Sequence, residues 1–362
     1  MAINFKTKII TFKIFSFALL FTFSIINTGC LGAKTMPSLS EKEKLAIFNQ
    51  TAQENLKKTL WEYGYTTVSN ESRLDIFKDK ITGIGGGYIG VGSIQNYTLA
   101  AWAKSEWIWF MDFTRIVVAA NKVHLALIKS SKTSEEYILS WKRKSMKKVL
   151  ELLNKVYKDD ADLKKIIKAY KISRNVVEKR IKLVFFLAKK RNYKVWLNDE
   201  SQYKWIRNLA VRGHIKVVKG DLNKNTTLIG IAKSARKMGI KIGIIYVSNA
   251  EEYFPKYVPS FRKNILEMPI DNKSIILRTM SIARYRYPWA PDSHYAIKNL
   301  GFHYNTMPLH VFKEWLKHGD SRLKLRYLLK KGKVKVYGKT GYSEVTEKPV
   351  LKKKKAGESK KS

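Results

Sequence analysis

The stretch Gly87–Phe113 constrains the fold more than any other part of the chain. A short apolar run, Tyr88–Val91, ends in a Gly-Val-Gly turn, and helical spacing follows over Ser93–Lys104. A second apolar run, Trp107–Met111, then stops at Asp112. This order predicts a strand, a glycine turn, a helix and a second strand with an acid at its end, which is the first half of a nucleotide-binding unit.

Each part of this unit has a chemical reason. Gly90 and Gly92 let the backbone turn sharply and lie close to a ligand, where a Cβ would clash. The helix after them points unpaired N–H groups at the same place. Asp112 follows Gly92 by 112 − 92 = 20 residues, about where such folds place a carboxylate that accepts ribose hydroxyl protons. The alternative, a glycine-rich turn in an ordinary α/β sheet with a surface Asp, stays open on these residues alone.

The dinucleotide pattern G-x-G-x-x-G is incomplete, because Gln95 stands at the third glycine position. That favours a ligand with one nucleoside and no phosphates. From about Ile84 to Met280 the chain resembles the class I S-adenosylmethionine-dependent methyltransferases. The resemblance implies an α/β fold with a doubly wound, largely parallel, Rossmann-like sheet, and it makes S-adenosylmethionine the candidate cofactor.

Two more apolar runs end in polar residues. Ile215–Val218 leads to Gly220-Asp221, and Ile240–Val247 leads to Ser248-Asn249. The family often has an Asp or Asn followed by Pro-Pro-aromatic at the second place, and this chain has no proline there, so the resemblance does not extend to amino-group methylation. By resemblance, the cofactor-binding residues are Gly90 and Gly92 for the methionine part, Asp112 for the ribose and Asp221 for the adenine, and Ser248 and Asn249 are substrate-side candidates. Tyr253 and Arg286 are further substrate-side candidates, because arginine and aromatic side chains together suit an acidic or planar substrate. A tyrosine-rich loop that packs on the sheet edge is the alternative.

The first 29 residues have the pattern of an export signal. Lysines precede an apolar run of thirteen residues, Ile14–Ile26, which is too short to span a bilayer comfortably. Gly29-Cys30 follows, and a small residue before a lone cysteine indicates a lipoprotein cleavage site with lipidation at Cys30. A simple secretory signal and an uncleaved anchor are the alternatives. Together with the α/β domain, this start also resembles spirochaetal lipoproteins with a methyltransferase-like fold, and it predicts a membrane-anchored protein of the cell envelope, at the outer membrane or cell surface.

The chain is strongly basic. It has 70 Lys and Arg against 29 Asp and Glu, a net charge of +41. Removal of the signal takes away three lysines and leaves 41 − 3 = +38. This excess favours an anionic partner, with an anionic lipid or glycan expected ahead of nucleic acid. A basic surface that merely keeps the protein soluble is the alternative.

The rest of the chain divides by composition. Residues 30–40 read as a tether, and residues 41–83 as an N-terminal helical segment that includes a helix over Glu41–Tyr63. Residues 84–330 are predicted to be the α/β domain, with a helical insertion over 134–191 that is rich in lysine and free of Gly and Pro. Residues 331–362 read as a Lys-rich tail, mostly disordered.

No catalytic constellation stands out in the sequence. The six histidines form no close pair with a cysteine or an acid, so no metal site is predicted, and Ser248 lacks the setting of a hydrolase nucleophile. Methyl transfer needs positioning more than acid–base chemistry, so the lack of a triad does not argue against it. Two hypotheses remain: a binding protein on a methyltransferase-like scaffold, and an active methyltransferase with an unknown substrate and no assigned catalytic residue.

Overall fold

The structure is a computed structural model, and it describes residues 39–57, 59–60, 63–281, 301–318, 320–331, 333–337 and 340–350. The helices are α1 (Glu41–Asn49), α2 (Asp75–Ile81), α3 (Gln95–Ala103), α4 (Arg115–Ser130), α5 (Ser134–Leu139), α6 (Met146–Val156), α7 (Leu163–Lys190), α8 (Glu200–Arg212), α9 (Thr227–Lys237), α10 (Pro259–Leu266), α11 (Leu309–His318) and α12 (Leu325–Leu329). The strands are β1 (Gly87–Val91), β2 (Trp107–Asp112), β3 (Ile215–Lys219), β4 (Ile242–Tyr246), β5 (Ile275–Ser281), β6 (Phe302–Pro308), β7 (Lys333–Tyr337) and β8 (Thr340–Glu344).

These eight strands form one sheet in the order β3-β2-β1-β4-β5-β6-β8-β7. The first five are parallel, and β6 runs antiparallel to β5. The chain starts at the centre with β1, builds outward through β2 and β3, and then crosses to β4 on the other side of β1. The order therefore reverses between β1 and β4, which is the switch point where ligands bind in open α/β sheets. The prediction of a doubly wound, largely parallel Rossmann-like sheet is confirmed.

Helices cover both faces of the sheet, and this explains why its central strands are apolar throughout. Every residue of β1, β2 and β4 is buried, as expected for parallel strands enclosed on both sides. One face packs against α2 to α8, and the other packs against α1 and α9 to α12. On the second face the Phe48 ring of α1 lies 5.1 Å from the Trp107 ring and 4.7 Å from the Trp109 ring.

The predicted insertion is helical and belongs to the first face. It contains α5, α6 and the 28-residue α7. The Tyr170 hydroxyl donates to the Ser140 carbonyl at 2.8 Å, and the Tyr157 hydroxyl donates to the Lys122 carbonyl of α4 at 2.7 Å. The insertion is thus packed onto α4 as part of the domain. None of the helices within the described residues combines the length and apolar character that crossing a membrane requires.

Two expectations about the ends of the domain are wrong. The helix expected over Glu41–Tyr63 ends at Asn49, because the chain then runs extended past β3 and α9: the Glu54 N–H donates to the Lys219 carbonyl at 3.1 Å, and the Glu54 carboxylate accepts from the Thr227 N–H at 2.9 Å. The tail expected from 331 supplies β7 and β8. Its Lys-Val-Lys-Val-Tyr alternation is a strand pattern, and Tyr342 and Val345 are buried. Residues 351–362 lie outside the described part.

Candidate functional site

The predicted cofactor residues meet where the parallel strands end. Asp112 is the last residue of β2, and its Oδ2 accepts from the Gly92 N–H at 3.2 Å. The Gly220 N–H donates to the Asp112 carbonyl at 3.0 Å, which places the next residue, Asp221, beside the end of β2. The Asp221 carboxylate accepts from the Asn223 N–H at 2.9 Å and holds the turn after β3.

Side chains of α3 fill the space beside the two glycines. A Cβ on Gly90 would lie 2.1 Å from Asn96 Oδ1, and a Cβ on Gly92 would lie 2.6 Å from Gln95 Nε2. The φ of Gly92 is +90°, which also favours glycine there. Asn96 is fully used: it donates to the Val91 and Ser93 carbonyls, both at 3.0 Å, and accepts from the Tyr88 hydroxyl at 2.7 Å. The glycines therefore make room first for the protein's own side chains.

Asp112 is buried and acts within the turn. Its Oδ1 accepts from the Thr114 N–H at 2.7 Å, and its Oδ2 is the acceptor for Gly92. Burial raises the pKa of the Asp112 carboxyl to about 6, although the backbone N–H donors of Thr114, Gly92 and Phe113 work in the opposite direction. The Thr114 side chain also hydrogen-bonds to this carboxylate, so the protein itself supplies four interacting donors around Asp112.

Three buried oxygens around Gly92 have no partner. Within the described part of the chain, no hydrogen bond reaches Ser93 Oγ, Gln95 Oε1 or Asn121 Oδ1. All three lie beside the glycine turn: Ser93 follows Gly92, Asn121 Nδ2 of α4 donates to the Gly92 carbonyl at 2.8 Å, and Gln95 of α3 lies against Gly92. Buried polar atoms are nearly always satisfied, so this cluster is a candidate place for a bound water or ligand.

Gln95 also borders a small cavity between α3 and α7. Its volume is about 20 Å³, and it is lined by apolar side chains together with Gln95, Thr98 and Arg180. Arg180 Nε is another buried donor with no partner among the described residues. The cavity is large enough for about one water molecule, and it is far too small for a nucleoside.

The ends of β4 and β5 are organised by an acid that the sequence analysis missed. Glu71, which is 1% exposed, accepts from four hydroxyl groups: Ser69, Tyr246 of β4, Ser248 at 2.8 Å and Thr279 of β5 at 2.6 Å. Residues 69–73, called the Glu71 segment below, thus cover the sheet beside the glycine turn. No local pattern marks Glu71, because its partners on β4 and β5 are 175 to 208 residues away in sequence.

Basic and aromatic residues fix the Glu71 segment in place. The Tyr304 hydroxyl of β6 accepts from the Ser72 N–H at 3.1 Å and from the Arg73 N–H at 2.9 Å. Arg180 of α7 donates to the Glu71 carbonyl, and Arg191 donates to the Ser72 carbonyl at 3.2 Å. The segment is therefore held from the sheet and from the insertion together.

The substrate-side candidates are not gathered around one opening. Ser248, with a φ of +51°, is bound by Glu71. The Asn249 amide donates to Glu252 at 3.0 Å, and Tyr253 is 51% exposed in the 3-10 turn that follows. Arg286 and Cys30 lie outside the described residues. Within the described residues, no group of three or more His, Cys, Asp and Glu side chains is arranged to hold a metal ion.

A larger cavity lies at the other end of the strands. Its volume is about 340 Å³, and it opens beside the first residues of β2 and β3. Three of its lining groups pair with each other: the Glu41 carboxylate accepts from Arg212 at 2.9 and 2.6 Å and lies 3.1 Å from His214 Nε2. The His214 ring is stacked on Trp107 at 3.8 Å. These internal pairs leave the carboxyl end of the sheet as the better candidate site.

Comparisons with known proteins give a family and a distant similarity to solved structures. A family model described as "Domain of unknown function (DUF7790)" matches residues 66–346, which is 281 of 362 residues. The search of curated proteins gave no match. Among solved structures, the chain is similar to the rRNA methyltransferase aviRa from Streptomyces viridochromogenes, with 8% identity over 72% of this chain and 80% of that chain and a TM-score of 0.26. The fold assignment rests on the strand order described above.

Proposed function

The chain belongs to the DUF7790 family, whose matched region contains the whole sheet, and we propose that its domain binds an adenosine-type ligand beside Gly92 without transferring a methyl group. One observation carries the proposal: the three buried oxygens of Ser93, Gln95 and Asn121 that have no partner among the described residues. They lie at the switch point of the sheet, next to the Asp112 carboxylate.

The residues present fit S-adenosylmethionine or its demethylated product in chemical type. The Asp112 carboxylate would accept from the ribose hydroxyls. The oxygens of Ser93, Gln95 and Asn121 would accept from an ammonium group on the methionine part, and Asp221 would lie on the adenine side. S-adenosylmethionine would supply an activated methyl group on its sulfonium. Gln95 would have to move to admit the ligand, because its side chain lies against Gly92.

The neighbouring half of the site argues against methyl transfer. A methyl acceptor would have to reach the ends of β4 and β5, where Glu71 binds Ser248 and Thr279. Glu71 is held there by four hydroxyl donors, and the backbone beside it is held by Tyr304 and Arg191. An active methyltransferase, the alternative, would have to displace this segment in each catalytic cycle.

Isothermal titration with S-adenosylmethionine and with its demethylated product tests the proposal. Wild type should bind, and Asp112→Ala should bind about 30- to 150-fold more weakly, because charge-assisted hydrogen bonds to a ribose contribute roughly 2–3 kcal/mol. Asp271→Ala is the matched control: Asp271 also caps a turn, accepting from the Lys273 N–H at 2.9 Å, but it stands before β5 at the opposite end of the strands. No binding by wild type, or equal affinity in Asp112→Ala, contradicts the proposal.

For its location, we propose an exported lipoprotein anchored through lipid on Cys30 and facing an anionic lipid or glycan of the cell envelope. The export pattern of residues 1–29 and the net charge of +41 support this, in keeping with the resemblance to spirochaetal lipoproteins. Palmitate labelling should mark the wild type and leave Cys30→Ala unlabelled. Equal labelling of both would exclude Cys30 as the anchor.

A further inference from the structure

The outward face of α7 is a row of lysines. The exposed positions of this helix include Lys164, Lys168, Lys171, Lys179, Lys182, Lys189 and Lys190, and these seven residues are called the lysine row below. From Lys164 to Lys189 successive members are separated by three or four residues, or by about two turns where exposed Asn175 or Phe186 lies between them, and Lys190 directly follows Lys189. That spacing puts them on one side of the helix. At about 1.5 Å per residue the row is roughly 40 Å long.

The packing of α7 holds these lysines in place. The opposite side of the helix is buried against the domain by Ile166, Ala169, Tyr170, Ser173, Val177 and Ile181. The helix carries ten Lys and Arg residues and one acid, Glu178, so its net charge is 10 − 1 = +9. Glu178 pairs with Lys142 at 2.7 Å and with Lys182 at 3.2 Å, so Lys182 is the member of the row that it offsets.

One large apolar side chain interrupts the row. Phe186 is 60% exposed and stands four residues after Lys182 and three residues before Lys189. Exposure of a phenyl ring to water, here among lysines, is unfavourable in free energy. The same combination is favourable at a bilayer surface, where the ring enters the boundary between headgroups and acyl chains while the ammonium groups meet lipid phosphates.

We propose that the lysine row and Phe186 form the surface by which the protein docks onto an anionic lipid bilayer. The inference names the surface and the partner for the envelope location proposed above, and it does not depend on the adenosine-type ligand. A straight row about 40 Å long on a rigid helix matches a flat array of charges. A lipid on Cys30 alone would hold the protein only reversibly, so a basic surface is a suitable second anchor.

Nucleic acid is a poorer match for this surface. The row contains lysine and no arginine, so it offers point charges and not the planar, bidentate groups that recognise phosphates and bases with geometric specificity. Phe186 is the one aromatic side chain on the row, and single-stranded nucleic acids bind through several stacking rings along a groove. The chemistry thus favours a lipid surface.

Co-sedimentation with lipid vesicles tests the inference. The protein used is residues 39–362, a compact unit that contains every described helix and strand and lacks the predicted lipid site and apolar signal. It should bind vesicles that contain phosphatidylglycerol, bind phosphatidylcholine vesicles weakly, and dissociate at high salt. Each lysine beside the headgroups accounts for up to about a fivefold change in partitioning.

Two variants with equal charge loss locate the surface. The row variant combines Lys164→Gln, Lys168→Gln, Lys171→Gln and Lys179→Gln. The control combines Lys233→Gln, Lys237→Gln, Lys256→Gln and Lys263→Gln, exposed lysines on or beside α9 and α10 at the other face of the sheet. The row variant should lose at least about tenfold in partitioning, and the control should stay close to wild type. Phe186→Ser should lose about threefold with no change in charge.

Each contrary outcome has a distinct meaning. Equal loss in the row variant and the control would show that net charge and not the row drives binding, and would overturn the inference while leaving an anionic partner in place. No vesicle binding by wild type would overturn both the inference and the anionic-lipid partner, while titration with S-adenosylmethionine would still test the ligand site separately. Binding to RNA and not to vesicles, with the same dependence on the row, would replace the bilayer with nucleic acid.

Discussion

The two halves of the carboxyl end of the sheet differ in how their buried polar groups are hydrogen-bonded. At β4 and β5 the hydroxyl groups are satisfied by the chain itself, because Glu71 accepts from Ser69, Tyr246, Ser248 and Thr279, although Arg278 Nη2 and Glu251 Oε1 nearby have no partner among the described residues. At β1 and β2 the Asp112 carboxylate pins the turn, yet three buried oxygens nearby are left without a partner among the described residues. The two halves are adjacent, since β1 pairs with β4.

The difference distinguishes a half that stabilises the fold from a half that is available to a ligand, both at the carboxyl end of the same sheet. A half whose polar groups hydrogen-bond to each other is rigid and closed. Buried polar groups without a partner lower the stability of the fold unless a ligand or water binds them. The half at β4 and β5, called the Glu71 half, therefore belongs to the core, and the half at β1 and β2, called the Gly92 half, is where we propose the ligand site. The following predictions test that division, in order of decreasing effect.

Removal of the Glu71 carboxylate should have the largest effect on stability. Glu71→Ala leaves four hydroxyl groups without their acceptor, and we expect the free energy of unfolding to fall by about 4 kcal/mol. Urea denaturation at neutral pH measures it. Glu71→Gln keeps one acceptor oxygen and should lose roughly half as much.

Glu200→Ala is the control for loss of a glutamate. Its side chain is 79% exposed and pairs with Lys204 on the same helix at 2.5 Å, so its removal should cost less than about 0.5 kcal/mol. If Glu71→Ala proves no more destabilising than Glu200→Ala, the β4–β5 half is not closed by Glu71.

Asn96 should follow with the second largest effect. It is fully buried and makes three hydrogen bonds, to Val91, Ser93 and Tyr88. Asn96→Leu has a similar volume and makes none of them, so we expect a loss of about 3 kcal/mol in urea denaturation. A loss below about 1 kcal/mol would mean that Asn96 does not hold the turn.

The carboxyl of Asp112 should give stability a distinctive pH dependence. Burial raises its pKa from 3.8 to about 6 in the folded protein, so the folded state binds the proton more tightly than the unfolded state does. The stability it contributes is fully present below pH about 4 and is lost as pH rises through about 6. Relative to Asp112→Asn, which does not titrate, wild type should lose about 2 kcal/mol between pH 4.5 and 7.5.

Urea denaturation of both proteins at the two pH values gives this difference directly. Other acids titrate in the same range, and subtraction of the Asn variant removes their contribution. A difference that stays constant with pH would show that Asp112 is ionised as easily in the folded protein as in water. Ligand binding through the charged carboxylate should also weaken below pH about 6.

The Gly92 half could be predicted from the sequence, whereas the Glu71 half could not. Gly92 and Asp112 belong to consecutive strands of one βαβ unit, so the local order of glycine, helix and acid is enough to bring them together. Glu71 has partners 175 to 208 residues away in sequence, and a single acid in a loop has no periodicity that would show where it packs. The same limit explains β7 and β8, where high lysine content concealed an alternating strand pattern.

Gln95 should show the smallest effect and, in contrast to its neighbour Asn96, a favourable one. Its Oε1 has no partner within the described part of the chain, so in the ligand-free protein it is a buried polar group that costs stability. Gln95→Met keeps the length and removes the polar atoms, and we expect it to raise the free energy of unfolding by up to about 1 kcal/mol. The same variant should weaken binding of S-adenosylmethionine in calorimetry, because it removes one acceptor from the site. A variant that is destabilised as strongly as Asn96→Leu would show that Gln95 is satisfied within the protein, and the division between a closed half and a ligand-binding half would no longer hold.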